Sequence, residues 1–160
     1  MDFMNSREAA AYRLKLAQGY LSRAENDAVG RQWDGCLANA QEAVENAGKA
    51  IISHFRPTSH THDVIEAIQQ LASLNTTSET VKQKLMTSLD SFQNMGLETH
   101  IRATYGDEEH YTPPWELIDE SESRVGLEKA RRAVALAEEI YDEMAGPSTS
   151  KPDIPDTTGE

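Results

Sequence analysis

Between Trp33 and Phe55 the residues Trp33, Leu37, Ala40, Val44, Ala47, Ile51 and Phe55 recur in steps of four, three, four, three, four and four. With 3.6 residues per turn, that spacing lays one apolar stripe along a helix of about six turns. Ala38, Ala43, Gly48 and Ala50 lie around the stripe, where small side chains let another helix come close. The run ends before Pro57, because proline biases its predecessor away from helical geometry. A helix of this kind needs partners to cover it, and the rest of the chain must supply them.

Four further helical segments are predicted, and nothing reads convincingly as a strand. The first runs from about Ser6 to Asp27, with Ala10, Leu14, Ala17, Leu21, Ala24 and Ala28 on one face. Asn5 or Ser6 is placed to cap it, and Glu8 to complete a capping box with Asn5. The connection Val29-Gly30-Arg31-Gln32 is short, which favours an antiparallel neighbour. The third helix begins near Thr61 and carries Val64, Ile65, Ile68 and Leu71. Thr76-Thr77-Ser78-Glu79 reads as a capping box for the fourth, whose inward residues are Val81, Leu85, Leu89 and Phe92. That helix frays between Met95-Gly96 and Arg102, and a loop from Gly106 to Pro114 follows. The fifth begins near Asp119 to Ser121 and presents Leu127, Ala130, Val134, Ala137, Tyr141 and Met144. The expected architecture is all-α: an antiparallel helical bundle of about five helices in one domain, residues 1–145. Residues 146–160 are Pro, Ser, Thr, Asp and Gly rich and are expected to form a disordered acidic tail.

A formal charge of −12 works against non-specific nucleic-acid binding, so any RNA contact would need a local cluster of Arg and His. The single cysteine, Cys36, excludes an intramolecular disulfide and, early on the long helix, reads as a small packing residue. Apolar runs are too short to span a bilayer and no signal-peptide pattern opens the chain, so a cytoplasmic location without membrane contact is expected.

The histidines His54, His60, His62, His100 and His110 lack the three- or four-residue spacing with a carboxylate that helical metal sites show, so no metal or other cofactor is expected. His62-Asp63 reads as a first-turn pair with its acid near the positive end of the third helix. There is no Gly-rich phosphate loop before a helix and no nucleophile elbow. Thr99 to Asp107 is more informative. Arg102 near a helix C-terminus either satisfies the last carbonyls or offers a fixed cation to phosphate, with Tyr105 as a stacking or hydrogen-bonding surface.

The order and spacing of several segments resemble the HEPN domain family (higher eukaryotes and prokaryotes nucleotide-binding). The carriers are the turn and helix Gly30 to Ala50, Thr61-His62-Asp63-Val64, Arg102-Ala103-Thr104-Tyr105-Gly106-Asp107, and the alanine-rich run Ala130 to Ile140. The resemblance covers roughly Ala9 to Met144. It implies a four-helix up-and-down core, frequent homodimers, and frequent pairing with a minimal nucleotidyltransferase in toxin–antitoxin modules. It also implies, for many members, metal-independent ribonuclease activity from an arginine followed after four to six residues by a histidine. Here seven residues separate Arg102 from His110. Arg56 and His62 have five between them but precede the third helix, away from where the family places its motif. Two functions follow. One is a non-catalytic module binding a partner protein or a nucleotide, with Arg102 and Tyr105 as phosphate contacts. The other is a ribonuclease toxin in which His110 takes the ribose 2′-hydroxyl proton and Arg102 stabilises the phosphorane across a homodimer cleft.

Overall fold

The helix α2 (Trp33–Ser53) is the centre of the molecule, and every residue from Ala43 to Ser53 on it is buried. The structure, a computed structural model, describes residues 3–75 and 77–145. Leu37, Ala40, Val44, Ala47 and Ile51 are all at most 1% exposed, as the stripe requires. Trp33 and Phe55 only pack against the edge of the core, and Phe55 lies beyond the end of the helix. The second half of α2 has no free face at all: even Glu45, Asn46, Lys49 and Ser53 are covered. Cys36 is a buried free thiol whose pKa burial raises, which fits a packing role.

α1 (Phe3–Val29) begins ahead of Asn5 and Ser6, so neither stands at its boundary. A tight turn with Arg31 at φ 57° sends the chain back along α1 as α2. α7 (Glu120–Met144) lies antiparallel to α1: Arg7 Nη1 donates to the Tyr141 carbonyl, Gln18 Nε2 to Glu138, and Arg131 Nε to Glu25 at 2.6 Å. It therefore runs parallel to α2, with Ser123 Oγ donating to the Trp33 carbonyl at one end and His54 beside Tyr141 at the other. The return segment of this up-and-down order is the helix α4 (Glu79–Thr87) with a 3₁₀ turn, Leu89–Phe92. Lys84 lies near Glu139 and Glu143, Asp90 pairs with Arg132, and Lys129 donates to the Gln93 carbonyl, so this segment runs against α7. Among the described residues there is no strand, only an isolated bridge between Asp107 and Thr112. No helix there is long and apolar enough to cross a membrane.

Three local expectations need correction. The third helix, α3 (Ile65–Ala72), starts four residues later than predicted. The fourth opens on Ser78, whose side chain accepts the Val81 N–H at 3.3 Å; Thr76 of the predicted capping box lies outside the described residues. That helix also does not fray into Arg102. Asn94 takes a left-handed φ of 58°, and a separate helix, α5 (Leu97–Tyr105), begins after Gly96. Asp63 explains the restart, because its Oδ1 accepts the Leu97 N–H at 3.1 Å. A Cβ at Gly96 would lie 1.5 Å from that oxygen, so a larger residue there would displace the capping carboxylate. Asp63 thus serves the start of α5 and not that of α3. A short α6 (Pro114–Leu117) precedes α7. The expected disordered tail falls on residues outside those described.

Small residues on α2 have the predicted consequence in a different place. The neighbour that approaches Gly48 is Val64, in the connection leading into α3, and not the side of a helix.

Candidate functional site

Arg102 sits in the last turn of α5 and faces Glu122 in the first turn of α7. Both guanidinium nitrogens donate to that carboxylate, Nη1 to Oε1 and Nη2 to Oε2 at 3.2 Å. Glu122 is fixed in turn, since its backbone N–H donates to the capping Asp119 at 2.8 Å. The hydrogen bond to Glu122 raises the arginine's pKa further above its ordinary value, with Glu98 and Asp107 adding smaller contributions. This cation is held rigidly, and its charge is already compensated.

His110 lies in the turn closed by the Asp107–Thr112 bridge, which needs Gly106 at φ 78° because Thr112 O lies 2.1 Å from where a Cβ would stand. The His110 backbone N–H donates to Asp107 Oδ1, and its Nδ1 lies 2.8 Å from Asp107 Oδ2. The second contact holds the Asp107 carboxyl below its ordinary pKa. The imidazole is 74% exposed. Arg102 lines a cavity of about 390 Å³ with Asp63, Glu98, Thr99 and Glu122, and His110 is not among its lining residues. The two predicted catalytic groups share the end of α5 without facing one cavity. Tyr105, the predicted stacking surface, is exposed there.

The surroundings are acidic. Arg102 is the sole Lys or Arg from Leu97 to Ser123, against Glu98, Asp107, Glu108, Glu109, Glu116, Asp119, Glu120 and Glu122. On the same segment Leu97, Ile101 and Tyr105 are exposed at i, i+4 and i+8, which is one face of α5. Tyr111 is 93% and Trp115 70% exposed, so three aromatic rings are presented within this acidic stretch.

A second polar cluster was not legible from spacing. It joins α2, the connection before α3, and α5. His62 Nδ1 lies 2.5 Å from Glu45 Oε1, and Lys49 pairs with the other Glu45 oxygen at 3.2 Å. His100 Nδ1 lies 3.3 Å from Gln41 Oε1 and 3.6 Å from Glu42. The rings of His62 and His100 stack at 4.2 Å with 13° between their planes. Donor atoms of Glu42, His62 and His100 all lie within 4.8 Å of one another. Burial, and secondarily the charge of Glu45, raise the Glu42 carboxyl above its ordinary pKa, opposed by His100, His62 and Lys49. Arg56, the other half of the Arg56–His62 spacing, instead donates to Gln70.

Among known families, the model of the HEPN domain matches residues 10–146. No curated protein and no solved structure matches the chain.

Proposed function

The chain belongs to the HEPN domain family, and from that premise we propose a non-catalytic binding module whose α5–α6 end docks a protein, the minimal nucleotidyltransferase of a two-component toxin–antitoxin system. The observation that carries this reading is the exposure of Tyr105, Tyr111 and Trp115 within one acid-rich stretch of chain. Eight carboxylates on this stretch of chain, against Arg102 paired with Glu122 and Arg124 paired with Glu120, leave a net negative charge that disfavours a phosphodiester and attracts a basic protein surface. Exposed aromatic rings are the side chains most often found as anchors at such contacts. The acidic rim also argues against building a homodimer on this face, since two copies would bring like charges together. Use of Arg102 as a phosphate contact requires its pair with Glu122 to open.

One observation favours the ribonuclease reading. Asp107 engages His110 through Nδ1, which leaves Nε2 as a free base for a ribose hydroxyl. Against it stand the compensated charge of Arg102 and the separate placement of the two groups.

The docking proposal is tested by titrating the purified chain into the nucleotidyltransferase encoded beside it. Trp115→Ala and Ile101→Lys replace exposed side chains and should leave the helical circular dichroism unchanged while each weakening binding at least about tenfold. Binding that is unaffected by both variants would remove this face from the interface, and absence of binding by the wild type would remove the partner.

A further inference from the structure

We propose that Glu42, His62 and His100 form a binding site for one divalent transition-metal ion of the zinc type, set between α2, the connection before α3, and α5. The three residues come from positions far apart in sequence, and the fold alone brings their donor atoms within 4.8 Å of one another. Ligand atoms around a tetrahedral ion with bonds of about 2.0–2.1 Å stand about 3.4 Å apart, so the donor atoms must close by about 1.4 Å, and because imidazole lone pairs lie in the ring plane the stacked His62 and His100 rings, 13° apart, must also turn until they converge on the ion. The His62 side chain, 38% exposed, has room to make it, and the same exposure leaves a fourth position open to solvent.

The surrounding hydrogen bonds prepare both imidazoles for this role. Glu45 accepts from His62 Nδ1, so the neutral ring carries its proton there and keeps a lone pair on Nε2. Gln41 Oε1 faces His100 Nδ1 at 3.3 Å, and the same nitrogen lies 3.6 Å from Glu42. Gln41 Nε2 donates to Glu45 and to the Met95 carbonyl, which fixes the amide and turns Oε1 toward His100 Nδ1. A carboxylate or amide oxygen behind a ligating histidine is the usual way such rings are oriented and made more basic. Lys49 holds Glu45 in place from the far side. With both histidines neutral, Glu42, Glu45 and Lys49 sum to one negative charge, which a cation offsets. Two imidazole nitrogens and one carboxylate oxygen favour a borderline ion over Mg²⁺ or Ca²⁺, which take oxygen ligands.

The test uses the untagged full chain, stripped with chelator and titrated with Co²⁺ alone. Visible d–d absorption should grow to saturation at one equivalent and be displaced by Zn²⁺. His62→Ala and His100→Ala should each weaken the ion's affinity at least about tenfold, and Glu45→Gln, acting behind His62, should weaken it about 10–100-fold. His60→Ala, two residues away in the exposed loop, should leave the titration unchanged. Lack of saturable absorption in the wild type would overturn the proposal. So would absorption that survives both His62→Ala and His100→Ala, or that His60→Ala abolishes.

Discussion

Replacing Gly48 by alanine measures the close approach on which the α2–α3 packing depends. In a helix interior the change from glycine to alanine gains about 0.5–1 kcal/mol, because glycine loses more backbone freedom on folding. Gly19 in α1 shows that gain undisturbed, since nothing lies within 4 Å of where its Cβ would stand. At Gly48 the new Cβ would lie 2.5 Å from Val64 Cγ2 and 2.9 Å from Val64 Cβ. Both distances are well inside the contact optimum of about 3.5–4.0 Å. Turning Val64 about χ1 moves its methyls but not its Cβ, and Val64 is 2% exposed with little space to retreat. The backbone before α3 must move instead. Overpacking of this kind costs about 1–3 kcal/mol, more than the propensity gain. Gly48→Ala should therefore destabilise by about 1–2 kcal/mol net, while Gly19→Ala stabilises by about 0.5–1 kcal/mol. Urea denaturation followed by circular dichroism resolves this as midpoints moving in opposite directions at constant slope. Equal stabilisation by the two substitutions would refute the close approach at Gly48.

Two further outcomes follow from the same core. Val44→Asp places an unpaired carboxylate at a fully buried position and should cost about 4 kcal/mol or more; a wild-type melting temperature would mean that the stripe of α2 is in the wrong register. Burial, with Arg7 contributing, lowers the His54 pKa to about 4. The unfolded chain, whose histidine titrates near the ordinary 6.5, takes up this proton first. Stability from His54 is thus fully present above pH 6.5 and is lost as pH falls toward 4, by about 3 kcal/mol at most. Urea midpoints at several pH values should show a shallower acid-side decline for His54→Gln, and an unchanged decline would refute the burial of this ring.

The parts of the fold legible in the sequence are those written in helical periodicity. Leu37 to Ile51 and Leu127 to Tyr141 keep their spacing over many turns, so the two long stripes stand out against any alternative. Periodicity is blind to a break that preserves it. Val81, Leu85, Leu89 and Phe92 continue one apolar row, and a 3₁₀ turn over Leu89–Phe92 followed by left-handed Asn94 interrupts the helix without disturbing that row. The signal available was local: Asn94 and Gly96 within three residues. By sequence Asp63 belongs to the start of the third helix, whereas its carboxylate caps a helix that starts 34 residues later. The approach of Glu42, His62 and His100 is not legible in sequence for the same reason, since a spacing rule tests one helix and these residues come from three elements. The sequence places Arg102 near a helix C-terminus, where the structure has it, but its pairing with Glu122 depends on how α5 meets α7, which no local pattern encodes.

The acidic, aromatic end of α5 is proposed as a docking face on a chain that does not itself cleave RNA, and the second half of that proposal is open to direct assay. A time course of labelled single-stranded RNA with the purified chain in excess chelator tests it directly. The expected result is intact RNA, because Arg102 is neutralised by Glu122 and does not share a cavity with His110. Cleavage leaving cyclic phosphate ends, rising as histidine loses its proton and lost in both Arg102→Ala and His110→Ala, would contradict it.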